Sequence, residues 1–125
     1  MDYFKIDDDE KFQSIVKNAN ILGLKINHIK VIYSIHLKKN ITQREIEKIA
    51  DLRQPEVSIA LNQLNEMEFI KQHSEVQISK GRPIMVYKLN KPIYEIFMEI
   101  KKQKEKEILI IKLAWDDLIQ TIKNI

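Results

Sequence analysis

The chain has 125 residues, of which 44% are hydrophobic and 31% charged, so one folded domain is expected and a disordered chain is excluded. It has no cysteine, which excludes disulfides, thiol catalysis and cysteine-ligated zinc, and its two glycines are too few for a phosphate-binding glycine loop. The net charge is +3, and residues 69–91 alone hold five bases and one acid. This excess is either a local patch for a polyanion or a chance result in a lysine-rich chain.

The N-terminal part of the sequence predicts two helices. Asp7 and Glu10 have the spacing of a capping box at the start of the first helix, and Gly23 suits its left-handed end. The apolar stripe of this helix is Phe12, Ile15, Val16 and Ala19. A second helix is predicted over Asn27–Lys39. Its stripe is Ile29, Ile32, Tyr33 and His36.

The middle of the sequence predicts two helices joined by a tight turn. Thr42 and Glu45 form a second capping box, which starts a short helix that ends near Asp51. A three-residue turn follows, and Pro55 fits the first position of another helix, because its missing N–H needs no partner there. This helix is expected to reach Met67, so the pair has the form of a helix-turn-helix.

The remaining elements are a hairpin and a long helix. Strands are predicted over Phe69–Ser79 and Ile84–Leu89 around a turn at Lys80–Pro83, and the last helix starts at Pro92. The element order predicts a mainly α protein, a winged helix-turn-helix domain with a β-hairpin wing and a long C-terminal helix. In this arrangement the second helix of the pair enters the major groove of DNA.

The helix after Pro55 has a candidate base-reading face. With Val57, Leu61 and Leu64 inward, steps of 100° place a set of mostly polar residues outward or at the margins. These candidates are Gln54, Pro55, Ser58, Ile59, Asn62 and Gln63. Serine and asparagine can hydrogen-bond base edges, and an isoleucine can pack on a thymine methyl group. The alternative is the solvated polar face that every surface helix has.

Candidate phosphate contacts lie at the helix start, in the turn and at the wing tip. Exposed amides at a helix N-terminus attract phosphate, and bases beside a glycine at a hairpin tip can approach a phosphate strand or the minor groove. The residues are Thr42, Gln43, Arg44, Arg53, Lys80, Gly81 and Arg82. For the wing residues the alternative is a solvated hairpin tip.

Two segments carry a family resemblance. Residues 51–58 read DLRQPEVS and are followed by Leu61 and Leu64, and residues 80–83 read KGRP and are followed by Tyr87-Lys88-Leu89. Together they resemble the helix-turn-helix and wing of small archaeal winged-helix transcriptional regulators, which are related at fold level to the MarR and ArsR groups. The resemblance covers about residues 40–91. It implies sequence-specific binding of double-stranded DNA as a dimer, with Ser58 on the recognition helix.

The last helix predicts self-association. After the charged stretch 101–107, apolar residues recur in steps of four and three, the pattern of a coiled-coil seam. The candidate dimerisation residues are Ile108, Ile111, Trp115, Leu118 and Ile122. The predicted division is 1–25 as a helix that supports the core or dimer, 26–91 as the DNA-binding domain and 92–125 as the dimerisation helix. The alternative is a helix that breaks in 101–107 and folds back on its own domain.

Several functions lack support in the sequence. The three histidines have no metal-ligand spacing, the serines lack a nucleophile motif, and neither an enzyme nor a cofactor is expected. No apolar run approaches the ~18 residues of a membrane span, and the acidic N-terminus is not a secretory signal, so a cytoplasmic protein without a membrane partner is predicted. Any small-molecule effector is unknown. The main alternative to a DNA-binding regulator is a winged-helix module for protein–protein interaction; RNA binding is less supported because no aromatic platform is visible.

Overall fold

The computed structural model describes residues 5–76 and 81–125, and the chain divides into a first unit that ends at Ile93 and a second unit that begins at Tyr94. The helices are α1 Glu10–Leu22, α2 Ile26–Leu37, α3 Gln43–Ala50, α4 Gln54–Glu66 and α5 Ile93–Lys123. The strands are β1 Ile41–Thr42, β2 Ile70–Val76 and β3 Pro83–Leu89. This element order confirms the predicted fold class, and the roles predicted for 1–25, 26–91 and 92–125 stay predictions.

Helix α1 begins two residues later than the predicted capping box. Asp9 is the N-cap, and its Oδ1 atom accepts a hydrogen bond from the Lys11 N–H at 3.0 Å. Asp7 lies instead in a short 3-10 helix, Ile6–Asp8, which carries Ile6 into the core, where it is fully buried. The prediction of Asp7 as the cap was therefore wrong. Gly23 ends the helix with φ 71°, as predicted.

A hydrogen bond ties the start of α1 to α2. The Tyr33 hydroxyl donates to Asp9 Oδ2 at 2.7 Å, and the ring of Tyr33 lies 5.0 Å from that of the buried Phe12. The hydrogen bond to Asp9 and partial burial raise the pKa of Tyr33 to about 12. The same bond is the main reason why the pKa of Asp9 lies below its usual value.

The Tyr33→Phe variant should be less stable than the wild type at neutral pH and less sensitive to alkali. Because the pKa of Tyr33 is raised in the folded state, its stabilisation is complete below about pH 10 and is lost as the pH rises towards 12. Urea unfolding of both proteins between pH 7 and pH 12 checks this. A stability difference that stays constant through this range would show that Tyr33 does not hold its proton as described.

Helix α3 has the capping box that the sequence predicts. The Glu45 N–H donates to Thr42 Oγ1 at 3.2 Å, and the Thr42 N–H donates to Glu45 Oε1 at 3.1 Å. Lys38 also forms an ion pair with Glu45. Asp51 ends the helix in the left-handed region, with φ 53°. Both ends of α3 are thus fixed by contacts between residues that are close in the sequence.

Thr42→Ala should lower the free energy of unfolding by about 1 kcal/mol, because the Glu45 N–H loses its side-chain acceptor. Thr121→Ala is a suitable control, since the Thr121 hydroxyl donates to the Asp117 carbonyl inside an exposed helix. Denaturant titration should show the loss in the first variant and little change in the second. Equal stability of the two variants would contradict the assigned cap.

The sheet is antiparallel, with the strand order β1-β3-β2. Strands β2 and β3 pair from Ile70 opposite Leu89 to Val76 opposite Pro83, which confirms the predicted hairpin where the strands are described. Residues 77–79 of the predicted first strand lie outside the described residues. The sequence did not predict β1, in which Ile41 pairs with Tyr87, because two residues carry no strand pattern.

The core of the first unit lies between the helices and the sheet. Helix α2 buries Val31 and Ile35 in addition to Ile29 and Ile32, since neighbouring elements surround it on more than one side. His36, which the predicted stripe included, is exposed, so that part of the prediction was wrong. Buried residues from the other elements complete the core, among them Ile46, Val57, Leu61, Leu64, Phe69 and Ile70.

Helix α5 runs unbroken through its charged stretch. It has 31 residues, about 46 Å at ~1.5 Å per residue. Ion pairs join Lys101 to Glu105 at 3.8 Å and Lys104 to Glu107 at 3.2 Å, the spacings that support a helix. The alternative of a break in residues 101–107 was therefore wrong.

Candidate nucleic-acid interface

Helix α4 has a buried face and an exposed face, as the helical wheel predicts. Val57, Ala60, Leu61 and Leu64 are buried in the core of the first unit. The opposite side leaves Gln54, Pro55, Ile59 and Asn62 exposed and Ser58 half-buried. Four apolar anchors thus fix the rotation of α4 about its axis. The candidate base-reading residues, with Gln63 at the margin, are brought together on its outer side.

The acidic residue in the first turn of α4 is occupied by local contacts. Glu56 Oε1 accepts a hydrogen bond from the Arg53 N–H at 3.0 Å, and its Oε2 atom lies 3.5 Å from Asn27 Nδ2 on α2. The carboxylate therefore caps the helix start and faces α2. Glu66 is the last residue of α4 and Glu68 follows the helix, so both lie at the far end from Gln54.

A polar cluster joins the start of α3 to the start of α4. Ser58 Oγ accepts from Gln43 Nε2 at 2.7 Å and from Gln54 Nε2 at 3.1 Å. Gln43, which the sequence analysis assigned to phosphate contact, thus reaches across to the recognition helix. Nothing in the sequence predicted this bond, because it joins residues 15 positions apart.

The margin of the exposed face is tied to α2. His28 is buried, and its Nε2 atom lies 2.6 Å from Gln63 Oε1. Gln63 is half-buried, which makes it the least accessible of the six candidate base-reading residues. The sequence does not predict this contact, because it joins residues 35 positions apart.

The candidate phosphate contacts outside the wing lie around the helix-turn-helix. Arg44 is exposed in the first turn of α3, and Arg53 is exposed at the N-cap of α4. The hydroxyl of Thr42 is occupied in the capping box, so Thr42 shapes the helix start and its side chain does not point to solvent as a free donor. The two arginines are therefore the accessible cations of this group.

Gly81 and Arg82, the described residues nearest the tip of the wing, are exposed. Gly81 adopts φ 63°, a left-handed conformation in which a side chain would be strained, and Arg82 beside it is exposed. Lys80 lies outside the described residues. On the strands, Lys71 is directly opposite Lys88, so like charges are neighbours there. The described part of the wing is thus basic, as the charge distribution predicts.

The second unit displays an apolar stripe. Ile108, Ile111, Trp115, Leu118 and Ile122, the candidate dimerisation residues, are each 49–65% exposed. At 100° per residue they fall on one side of α5. Soluble monomers rarely expose a contiguous apolar surface of this kind, so the stripe is a candidate interface.

Two kinds of site are missing from the part of the chain that the structure describes. Within 5–76 and 81–125, His, Asp and Glu side chains do not gather in groups of three that could hold a metal ion. Among the same residues, every helix is too short or too polar to cross a bilayer.

Solved structures of transcription regulators share the fold. The MarR family transcription regulator SP03579 matches with a TM-score of 0.52 and 11% identity, over 82% of this chain and 66% of its own, just under two thirds of its length. A PadR family transcription regulator from Clostridium difficile R20291 matches with a TM-score of 0.50 and 22% identity, over 73% of this chain and 98% of its own. The transcriptional regulator PA4135 matches with a TM-score of 0.51 and 18% identity, over 86% and 82%.

These similarities confirm the winged-helix fold. No protein-family model matches the chain, and no curated protein matches it in sequence. The archaeal part of the predicted resemblance stays a prediction.

Proposed function

We propose that the chain is a sequence-specific, double-stranded DNA-binding transcription regulator that acts as a homodimer. The observation that carries the proposal is the exposed side of α4, which presents Ser58 and Asn62 away from the buried anchors and Gln54 at the exposed start of the helix. An α-helix that projects polar side chains after a tight turn fits the width of the major groove. Its hydrogen-bonding groups are then positioned to read base edges.

The charges around α4 support the same function. Arg44 and Arg53 are exposed at the starts of α3 and α4, Arg82 is exposed on the wing, and Glu56 is turned towards α2. Phosphate contacts supply most of the affinity of DNA-binding proteins and position the reading helix. The three arginines, with Lys80 and the Gly81 backbone, would provide these contacts.

The apolar stripe of α5 would pair two copies. Ile108, Ile111, Trp115, Leu118 and Ile122 would form a self-complementary seam about a two-fold axis. A symmetric dimer addresses two half-sites about one DNA turn apart. The DNA sites are therefore expected to be inverted repeats.

One observation favours a protein partner as the second candidate. Ile59 is 58% exposed at the centre of the outer face of α4, and a shallow pocket lined in part by Lys25, Ile26 and Ala60 adjoins it. An exposed aliphatic side chain beside a pocket is also what a partner helix would cover. In that case α4 would bind a protein and the chain would show no preference among DNA sequences.

A salt series on duplex DNA separates the two candidates. If a dimer contacts about six to eight phosphates, log affinity should fall with log salt at a slope of roughly −5 to −7. Arg82→Ala should weaken binding to all sequences about equally and reduce the slope by roughly 2 per dimer, whereas Lys17→Ala, an exposed base on α1, should change neither. Absence of salt-dependent DNA binding would contradict the proposed function, and an unchanged slope in Arg82→Ala would remove the wing from it.

A further inference from the structure

We infer that Gln43 is a positioning residue for base recognition: acting through Ser58, it orients Gln54 to read an adenine in the major groove. This inference rests on the proposed function. It changes the predicted role of Gln43 from a phosphate contact to a determinant of specificity. It also predicts that a single side chain, Gln54, recognises one A·T base pair in each half-site.

The hydrogen bonds of Ser58 differ from those of two other helical hydroxyl groups, Ser34 and Thr121. Ser34 and Thr121 donate to the carbonyl oxygen four residues earlier, as such residues commonly do inside helices. Ser58 Oγ instead accepts from two side-chain amides, Gln43 Nε2 at 2.7 Å and Gln54 Nε2 at 3.1 Å. A hydroxyl oxygen has two lone pairs, so these bonds fill its acceptor capacity and leave its proton as a donor.

The two glutamines enter the cluster from different elements. Gln43 is the first residue of α3, whose start is fixed by the Thr42–Glu45 capping box. Its Nε2 atom also lies 3.5 Å from the Gln54 carbonyl oxygen, so its amide group sits beside the first turn of α4. Gln43 is half-buried and Gln54 is exposed. The inner glutamine therefore holds Ser58, and Ser58 holds the outer glutamine.

The hydrogen-bonding groups of Gln54 that the cluster does not use determine which base it recognises. The cluster uses one N–H of the Gln54 amide and leaves the other N–H and the Oε1 atom. A donor beside an acceptor is the complement of adenine, which presents the N7 acceptor and the N6 amino donor in the major groove. A long, flexible glutamine loses rotamer freedom when it binds, and a side chain already held by Ser58 loses less.

The test compares base discrimination, because a purely structural role would change affinity for every sequence alike. A duplex selected by the wild-type protein from a random pool is changed one base pair at a time from A·T to G·C. Binding is then measured for the wild type, Gln43→Ala, Gln54→Ala, their double variant and Gln43→Met, which has a similar length but has no N–H to donate to Ser58. Gln120→Ala on exposed α5 is the control.

The wild type and Gln120→Ala should prefer adenine at one position by roughly tenfold or more. Each variant at Gln43 or Gln54 should lose most of that preference, and the double variant should lose no more, since the residues act as a unit. A Gln43 variant that keeps the full preference would overturn the inference and leave the proposed function standing. Failure of the wild type to enrich any sequence would overturn the proposed function, and the inference with it.

Discussion

The Asn62→Asp variant should lose specific DNA binding by about 100-fold or more while it keeps its fold. Asn62 is exposed on the outer face of α4, one turn after Ser58. The change removes an amide donor and places a negative charge where DNA phosphates would surround it. Because the side chain is exposed and packs on nothing in the core, stability should change by only about 0.5 kcal/mol.

Asn20→Asp is a matched control, since it makes the same change in charge at an exposed site on α1. Fluorescence anisotropy with a selected duplex measures both variants, and thermal unfolding checks their folds. The control should bind nearly as tightly as the wild type. If Asn62→Asp bound equally well, the outer face of α4 would not meet the DNA bases.

Leu118→Glu should convert the dimer to a monomer and weaken DNA binding. Leu118 lies within the apolar stripe of α5, and in a symmetric dimer each interface would receive two carboxylates without a polar partner. Two linked recognition helices bind more tightly than one, so we expect DNA affinity to fall between about 10²- and 10⁴-fold. Light scattering should give the mass of one chain in place of two.

Gln120→Glu is the control for this variant, because Gln120 lies on the other side of α5, outside the stripe. It should leave both the mass and the DNA affinity near those of the wild type. A wild-type protein with the mass of one chain at micromolar concentration would contradict the proposed dimer. So would a Leu118→Glu variant that keeps twice the mass of one chain.

Elements set by neighbouring residues were predictable from the sequence. The Thr42–Glu45 capping box, the left-handed end at Gly23 and the helix start near Pro55 all depend on contacts within a few positions. The exposed face of α4 followed from its 100° period once the apolar anchors were recognised. These signals are local, and they were enough to predict the order of the five helices and the hairpin, and therefore the winged-helix fold.

The features that the sequence did not reveal depend on contacts between distant residues. Strand β1 forms because Ile41 pairs with Tyr87. Helix α1 is capped by Asp9 and not by Asp7, because Asp7 lies in the short 3-10 helix that places Ile6 in the core. The Gln43–Ser58 and His28–Gln63 bonds join separate helices. No periodicity or spacing in the sequence encodes such pairs, so the hydrogen bonds within the candidate interface are visible only in the structure.

The position of DNA on the protein is the most direct test of this account, and amide chemical-shift mapping measures it. A ¹⁵N-labelled protein is titrated with a selected duplex and, separately, with a duplex of scrambled sequence. We predict that the largest sequence-dependent shifts occur at Gln54, Ser58, Ile59 and Asn62, with smaller shifts for both duplexes at Arg82. If the amide signals of residues 54–62 did not shift with the selected duplex, this result would contradict the central claim that α4 reads the bases.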